Sequence, residues 1–187
     1  MSTVATLILP GLSNSGPEHW QSFWEHADAG CQRVEQKEWE SPDCADWVAT
    51  LDAAVDRLDT SAVLVAHSTA CGLVAHWAKG APREHLLKIV GALLVAPSDP
   101  DGPHYPAGPT GFSPMPLETL PFPSIVVASE TDEYVTMAQA NVYAKAWGSE
   151  LVSAGKAGHI NSASGLSAWP QGYALLQRLR RARRSRA

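Results

Sequence analysis

Short apolar runs alternate with longer amphipathic stretches along most of this chain. Ala62–Ala66 and Ile89–Ala96 have the length and apolar content of buried strands, whereas residues 47–58 repeat apolar side chains at helical spacing. Strands that alternate with helices in this way form a parallel sheet covered by helices. The sequence therefore predicts an α/β fold, with about six mainly parallel strands and helices on both faces of the sheet.

The expected elements follow one another without an internal repeat. We predict strands at residues 4–9, 62–66, 89–96, 124–128 and 150–152, with a weaker strand within residues 32–39, and helices at residues 20–27, 47–58, 71–79, 137–147 and 171–183. The 187 residues suit one domain with a sizeable core, so we expect a single domain over residues 1–187.

Residues 97–123 interrupt the alternation. This segment contains nine of the 14 prolines, and proline excludes a regular helix or a central strand. Because it follows a predicted strand, it should lie at the sheet edge where ligands bind in open parallel sheets. It could be a lid or a pocket wall near the active site, or a plain surface loop stiffened by proline.

The charge distribution is uneven. Six arginines fall within residues 178–186, and the remaining eight basic residues face 19 acidic ones. An acidic body argues against nucleic-acid binding, which needs a broad basic surface. We interpret the arginines as a helix end followed by a frayed basic tail over residues 180–187.

Neither a membrane span nor a signal peptide is indicated, because no run of 18 apolar residues occurs and no basic segment precedes an apolar stretch at the N-terminus. Cys31, Cys44 and Cys71 are odd in number and lack metal-ligand spacing, so we expect reduced thiols and no metal. These features predict a cytoplasmic protein.

The most informative motif is Ala66-His67-Ser68-Thr69-Ala70, between a predicted strand and a predicted helix. A nucleophile elbow has the pattern G-x-S-x-G, because its sharp turn leaves little room two residues before and after the serine. Here both small positions are alanine, a modest intrusion. Such windows are common by chance, and the strand before and helix after it favour Ser68 as a nucleophile.

The same turn suggests an oxyanion hole. The backbone N–H of Thr69 would lie at a helix N-terminus, where developing negative charge is favoured. A second donor should come from the loop after the first strand, residues 10–16, and we choose the N–H of Leu12. The alternative is that these residues merely form strand-to-helix turns.

A nucleophilic serine needs a base and an acid that orients the base. In this fold the chain order is serine, acid, histidine, and the histidine follows the last strand. Of the seven histidines, only His159 fits that position. Asp132 follows the preceding strand and is our choice of acid, with Glu130 and Glu133 as competitors and a solvated acidic turn as the alternative.

The chain resembles the retinoblastoma-binding-protein and YdeN-like serine hydrolases, which are compact α/β-hydrolases of about this length. The resemblance covers nearly the whole chain. It rests on Pro10-Gly11 followed by His19-Trp20 and Trp24, on Val65–Ser68, Leu94–Pro97 and Leu120–Ser124, on Ala128-Ser129 through Asp132, and on Gly158–Asn161 with Gly165 and Trp169-Pro170. It implies no large cap domain and places the family's nucleophile, acid and base on Ser68, Asp132 and His159.

The sequence departs from the family pattern at two positions close to the predicted nucleophile and acid. Ala70 replaces a common glycine, and Glu133 replaces a frequent proline after the acid. Neither change removes a catalytic group. The resemblance implies weak esterase activity, and hydrolysis through an acyl-enzyme on Ser68 would need no metal or organic cofactor.

Three functions follow as hypotheses. The first is hydrolysis of a small-molecule ester, or less readily an amide, through an acyl-enzyme on Ser68. The second is a protein-interaction module on a hydrolase scaffold with little or no turnover, since fold does not fix function. Two features favour it: alanine in place of both elbow glycines, and the proline-rich segment as a docking surface for a protein partner. The third makes Cys71 a redox or nucleophilic thiol at a helix start, although no base is positioned for it.

Overall fold

The structure is a computed structural model that describes residues 4–182. The predicted strands and helices occur along these residues in the predicted order. The strands are β1 Ala5–Leu9, β2 Cys31–Arg33, β3 Ala62–His67, β4 Ile89–Val95, β5 Ser124–Ala128 and β6 Glu150–Ser153; the helices are α1 Trp20–Ala27, α2 Cys44–Asp56, α3 Thr69–Gly80, α4 Arg83–Lys88, α5 Met137–Trp147 and α6 Pro170–Ala182, with a 3₁₀ helix at Ser162–Ser164.

The strands form one sheet in the order β2-β1-β3-β4-β5-β6, and every neighbouring pair is parallel. The carboxyl ends of all six strands therefore lie at the same edge. The chain runs outward from β1 to β2 and then returns to β3 on the other side of β1. This reversal between β1 and β3 opens a crevice at the carboxyl edge, where ligands bind in sheets of this kind.

Both faces of the sheet are buried, as expected of a parallel sheet. Leu64 and Ala66 of β3 point to the face covered by α2, α3 and α5, whereas Val63 and Val65 point to the face covered by α1 and α6. All four side chains are fully buried. The prediction of an α/β fold with helices on both faces is confirmed.

Two elements differ from the sequence prediction. Strand β2 spans Cys31–Arg33, at the start of the range 32–39 within which a strand was predicted. It is the edge strand and pairs with β1 over three residues only, and Trp39 instead accepts the N–H of Ser13 in a loop contact at 2.9 Å. The short helix α4 was not predicted, because its six residues bury no side chain and leave no periodic pattern.

Helix α6 carries the first arginines of the predicted basic tail. Arg180 is not frayed, because its guanidinium donates to Asp28 at 2.6 Å and to the hydroxyl of Thr6 at 2.7 Å. Residues 183–187 of the predicted tail lie outside the described residues. Within residues 4–182, no helix has both the length and the apolar character needed to cross a membrane.

Candidate active site

Ser68 lies in a strained turn between β3 and α3. Its backbone has φ 58° and ψ −127°, outside the regions that a serine normally adopts. Ala66 and Ala70 on either side are fully buried. The turn thus forms with a methyl group at both positions where glycine is usual, and its conformation is that of a nucleophile elbow.

The three residues singled out in the sequence lie in one hydrogen-bonded series. The Oγ of Ser68 is 2.8 Å from the Nε2 of His159, and the Nδ1 of His159 is 2.9 Å from both carboxylate oxygens of Asp132. The Asp132 side chain is inaccessible to solvent, and that of His159 is 8% exposed. The imidazole is therefore fixed between a carboxylate and a hydroxyl.

The turn after β5 selects Asp132 among its acidic neighbours. The Oδ1 of Asp132 accepts the N–H of Tyr134 at 2.9 Å, which directs the carboxylate inward. The Tyr134 ring packs edge-on against the imidazole of His159, with ring centroids 4.5 Å apart. Glu130 and Glu133 are exposed to solvent and do not approach the imidazole.

The loop that carries His159 is fastened by side chains from distant parts of the chain. The indole N–H of Trp20 donates to the carbonyl of Ile160 at 2.8 Å, and the Nε2 of His67 lies 2.9 Å from the carbonyl of His159. On the opposite side, the hydroxyl of Ser129 accepts the N–H of Ala157 at 2.9 Å. The backbone of this loop is thus held from α1, from β3 and from the turn after β5.

The residues predicted to form the oxyanion hole flank Ser68. Thr69 is the first residue of α3, so its N–H has no acceptor within the helix. Leu12 lines the cavity beside Ser68. Gly11 brings this loop against the elbow, because a Cβ atom on Gly11 would lie 2.8 Å from the Cβ of Ser68 and 2.9 Å from the carbonyl oxygen of His67.

Ser68 and His159 open into a cavity of about 420 Å³ at the carboxyl edge of the sheet. Its walls come from the 10–16 loop, the elbow, the turn after β5 and the loop after His159. The 97–123 segment contributes Ser98 and Pro106. The hydroxyl of Ser98 lies 2.8 Å from the Oγ of Ser68 and is buried.

A family comparison agrees with this geometry. The family model described as "Serine hydrolase" matches residues 6–178, which is most of the chain. This chain belongs to the serine hydrolase family. The match includes the strand and helix around Ser68 and the loops that carry Asp132 and His159, and it supports hydrolase activity.

Solved structures give the same result for the fold of this serine hydrolase. A protein from Pectobacterium atrosepticum described as a YdeN-like hydrolase is 29% identical, with a TM-score of 0.83 over 96% of this chain and 92% of that one. The ydeN gene product of B. subtilis is 18% identical, with a TM-score of 0.75 over 95% and 98% of the two chains. An esterase domain from a Rhodothermus marinus protein is 17% identical, with a TM-score of 0.70 over 97% and 88%.

These matches confirm the resemblance to YdeN-like hydrolases and the α/β-hydrolase fold. They give no support to the retinoblastoma-binding part of the resemblance. A search among curated protein sequences found no match.

Two further imidazoles of this hydrolase are neutral and buried beside His159. Burial lowers the pKa of His67 well below its usual value, and the nearby imidazoles of His19 and His159 lower it further. Burial likewise lowers the pKa of His19 to about 4, with added repulsion from Arg33 and His159. The Nδ1 of His19 accepts the N–H of Gln21, which also requires a neutral ring.

Cys71 is placed as a core residue rather than as a nucleophile. Its side chain is fully buried in α3, and its thiol donates to the carbonyl of Val95 at 3.4 Å. Burial raises the pKa of this thiol well above its usual value, which opposes thiolate formation. In the described part of the chain, no group of three His, Cys, Asp or Glu side chains is arranged to hold a metal ion.

Several residues of the site were not identified from the sequence. Trp20 lies in the helix predicted at residues 20–27, and its indole also fixes the loop of His159. His67 adjoins Ser68 in the sequence, and its contact with the His159 carbonyl spans 92 positions. Ser98 lies in the loop after β4, and no recognisable sequence motif surrounds it. Only spatial proximity reveals these three.

Proposed function

We propose that this serine hydrolase cleaves small carboxylic esters, and amides less readily, through an acyl-enzyme on Ser68. The observation that carries the proposal is the series of hydrogen bonds from Ser68 through His159 to Asp132, at a strained turn that opens into a cavity. A nucleophile, a base and an orienting acid in contact are what acyl transfer requires.

Acylation begins at the hydroxyl of Ser68. The Oγ attacks the ester carbonyl carbon while the Nε2 of His159 takes the hydroxyl proton, and the imidazolium then gives that proton to the leaving alcohol. The buried carboxylate of Asp132 stabilises the imidazolium and keeps hydrogen on Nδ1. Deacylation repeats the sequence with water as the attacking group, so the proposed cycle uses protein groups and water and includes no cofactor.

The tetrahedral intermediates need donors for their oxyanion. In the proposal, the N–H groups of Thr69 and Leu12 supply them, supported by the position of Thr69 at the start of α3 and of Leu12 in the cavity wall. Removal of one such donor costs about 100-fold to 1,000-fold in kcat in other serine hydrolases. The close approach of Gly11 to Ser68 keeps the Leu12 side of the site next to the nucleophile.

The cavity limits the size of the substrate. Its volume of about 420 Å³ lies toward the lower end of the range for ligand pockets, roughly 300–1,000 Å³. Hydroxyl, amide and imidazole groups make up much of its wall, including Ser13, Asn14 and His19. We therefore propose a short acyl group, with the 97–123 segment as one wall of the pocket through Ser98 and Pro106.

The test is covalent labelling with a fluorophosphonate probe together with hydrolysis of p-nitrophenyl acetate. The wild-type protein should be labelled on Ser68 and should release p-nitrophenol with a burst. Ser68→Ala should abolish labelling and lower kcat by roughly 10⁶. Unchanged turnover in Ser68→Ala, or labelling at another residue, would contradict the proposal.

Ser124→Ala is the matched control. Ser124 is also a buried serine, but it lies at the opposite, amino end of β5 and is bonded to Ser149 at 2.6 Å. This variant should be labelled at the wild-type rate. A folded wild-type protein that is not labelled would instead favour the protein-interaction module.

A further inference from the structure

The hydroxyl of Ser98 is a second side-chain group within hydrogen-bond distance of the proposed nucleophile, beside the imidazole of His159. Ser98 follows Ala96, whose φ of 49° turns the chain sharply after β4. Its side chain is 2% exposed, and its Oγ lies 2.8 Å from the Oγ of Ser68. Among residues 4–182, Ser68 is the hydrogen-bond partner that the structure gives to this hydroxyl.

The direction of this hydrogen bond follows from the available protons. The carboxylate of Asp132 has no hydrogen, so the Nδ1 of His159 must donate to it and the Nε2 of the neutral ring must be an acceptor. The single hydrogen of the Ser68 hydroxyl therefore points to Nε2. Ser98 is left as the donor to the Oγ of Ser68.

The strength of this bond changes during the proposed reaction. In the acyl-enzyme, the Oγ of Ser68 is an ester oxygen, which is a weak acceptor. When the second tetrahedral intermediate collapses, the same oxygen gains negative charge, and hydrogen bonds to charged acceptors are about twice as strong. A donor that binds the transition state more strongly than the preceding state accelerates that step.

We propose that Ser98 is a further catalytic residue, which donates a hydrogen bond to the Oγ of Ser68 as that oxygen leaves the acyl carbon. The inference rests on the proposed function. Water attacks the acyl carbon and gives a proton to the Nε2 of His159. The bond between carbon and Oγ then breaks, its electron pair stays on Oγ, and Oγ takes the proton from Nε2. Ser98 keeps its own proton throughout.

The experiment compares acylation with deacylation in Ser98→Ala, using p-nitrophenyl acetate. The burst of p-nitrophenol reports acylation, and the decay of the acetyl-enzyme, followed by mass spectrometry after quenching, reports deacylation. We expect the decay rate constant to fall about tenfold, the worth of one hydrogen bond. The value of kcat/KM, which reports acylation, should stay within about twofold, so kcat and KM fall together.

Two variants separate this role from a structural one. Ser124→Ala removes a hydrogen bond of the same type, between Ser124 and Ser149, and should leave both rate constants unchanged. Ser98→Thr keeps a hydroxyl and should restore most of the decay rate. Because the decay rate constant is measured on acetyl-enzyme already formed, it does not depend on the fraction of folded protein.

The possible failures can be told apart. An unchanged decay rate in Ser98→Ala, or an equal loss in kcat and kcat/KM without loss in KM, would overturn the role of Ser98 while leaving the acyl-enzyme mechanism in place. Absence of any acetyl-enzyme or label on Ser68 in the wild-type protein would overturn both proposals.

Discussion

Two irregular segments reach Ser68 from neighbouring strands, and they are held in place by different forces. Residues 10–16 follow β1, and residues 97–123 follow β4. Both contribute to the cavity wall. The first is short and fixed by polar side chains, whereas the second is long and fixed mainly by apolar side chains buried in the core.

Hydrogen bonds fix the 10–16 segment. The guanidinium of Arg33 donates to the side-chain oxygen of Asn14 at 2.8 Å and to the carbonyl of Ser15 at 2.9 Å. The hydroxyl of Ser22 donates to the same carbonyl at 3.0 Å. Each bond fixes a particular backbone atom, so the position of this loop relative to Ser68 is set closely.

Apolar packing fixes the 97–123 segment. Four of its side chains are buried in the core beneath α2, α3 and α5: Phe112, Met115, Leu120 and Phe122. Hydrogen bonds supplement this packing, such as the one from the hydroxyl of Tyr143 to Asp99 at 2.7 Å. Apolar contacts are not directional, so they secure the segment without fixing each backbone atom.

The 10–16 and 97–123 segments therefore have different roles in this protein. The 10–16 segment supplies a proposed oxyanion donor, which must be placed accurately. The 97–123 segment closes a wall and contributes to the free energy of unfolding. Changes in the first should mainly reduce activity, and changes at the buried apolar side chains of the second should mainly reduce stability.

The largest effect is expected from Phe112→Ala. Phe112 is 2% exposed and packs edge-on against Trp47, with ring centroids 5.8 Å apart. Its truncation should lower the free energy of unfolding by about 4 kcal/mol, from lost burial and the cavity left behind. Urea denaturation measures this change, and the folded variant should retain most of its kcat/KM.

Leu117→Ala is the control for this change. Leu117 belongs to the same segment but is 51% exposed, so its truncation should change stability by about 0.5 kcal/mol or less. Similar losses of stability in the two variants would mean that the segment is not anchored by its buried side chains.

A change next to Ser68, the proposed nucleophile, should act on activity instead. In Gly11→Ala the new methyl group would lie 2.8 Å from the Cβ of Ser68, so the loop and the elbow must move apart. A displacement of this kind should lower kcat/KM for p-nitrophenyl acetate by about 100-fold, because catalytic geometry tolerates little misplacement.

Gly16→Ala provides the comparison within the same loop, since a Cβ atom on Gly16 would meet nothing within 4 Å. Its kcat/KM should match that of the wild-type protein. Equal activity of the two alanine variants would contradict close contact between this loop and the elbow.

A lower pH should reduce the folding stability of the protein through a histidine next to the 10–16 segment. His19 follows this segment, and its pKa is lowered to about 4, while an imidazole in the unfolded chain titrates near 6.5. Between these values the unfolded chain binds a proton that the native protein excludes, so stability falls as the pH falls. The loss should reach about 2 kcal/mol between pH 7 and pH 5.

His19→Asn tests the origin of this pH dependence. Asparagine can still accept the N–H of Gln21 as a helix cap but does not titrate. The variant should lose less stability than the wild-type protein over the same pH range, as measured by urea midpoints. His104→Asn changes an exposed histidine of the 97–123 segment and should keep the wild-type slope. Identical slopes for all three proteins would exclude His19 as the source.

Much of the fold followed from local patterns. Buried strands such as Ala62–Ala66 are continuous apolar runs, and the helix predicted at residues 137–147 has the bounds that the structure gives it. Strand β2 was predicted to lie within residues 32–39 but begins at Cys31 and ends at Arg33. An edge strand has one partner, so its bounds depend on where that partner starts and stops. Local pattern carries no information about that partner.

Ser68, the central residue of the site, shows where the sequence is sufficient and where it is not. The order of strands determines that a serine after β3, an acid after β5 and a histidine after β6 meet at one edge of a parallel sheet, so chain order singled out His159 and favoured Asp132 as partners of the Ser68 motif. Contacts such as that between Ser98 and Ser68 depend on side-chain positions to within about 1 Å. Packing across the whole molecule sets those positions, and only the tertiary structure could decide them.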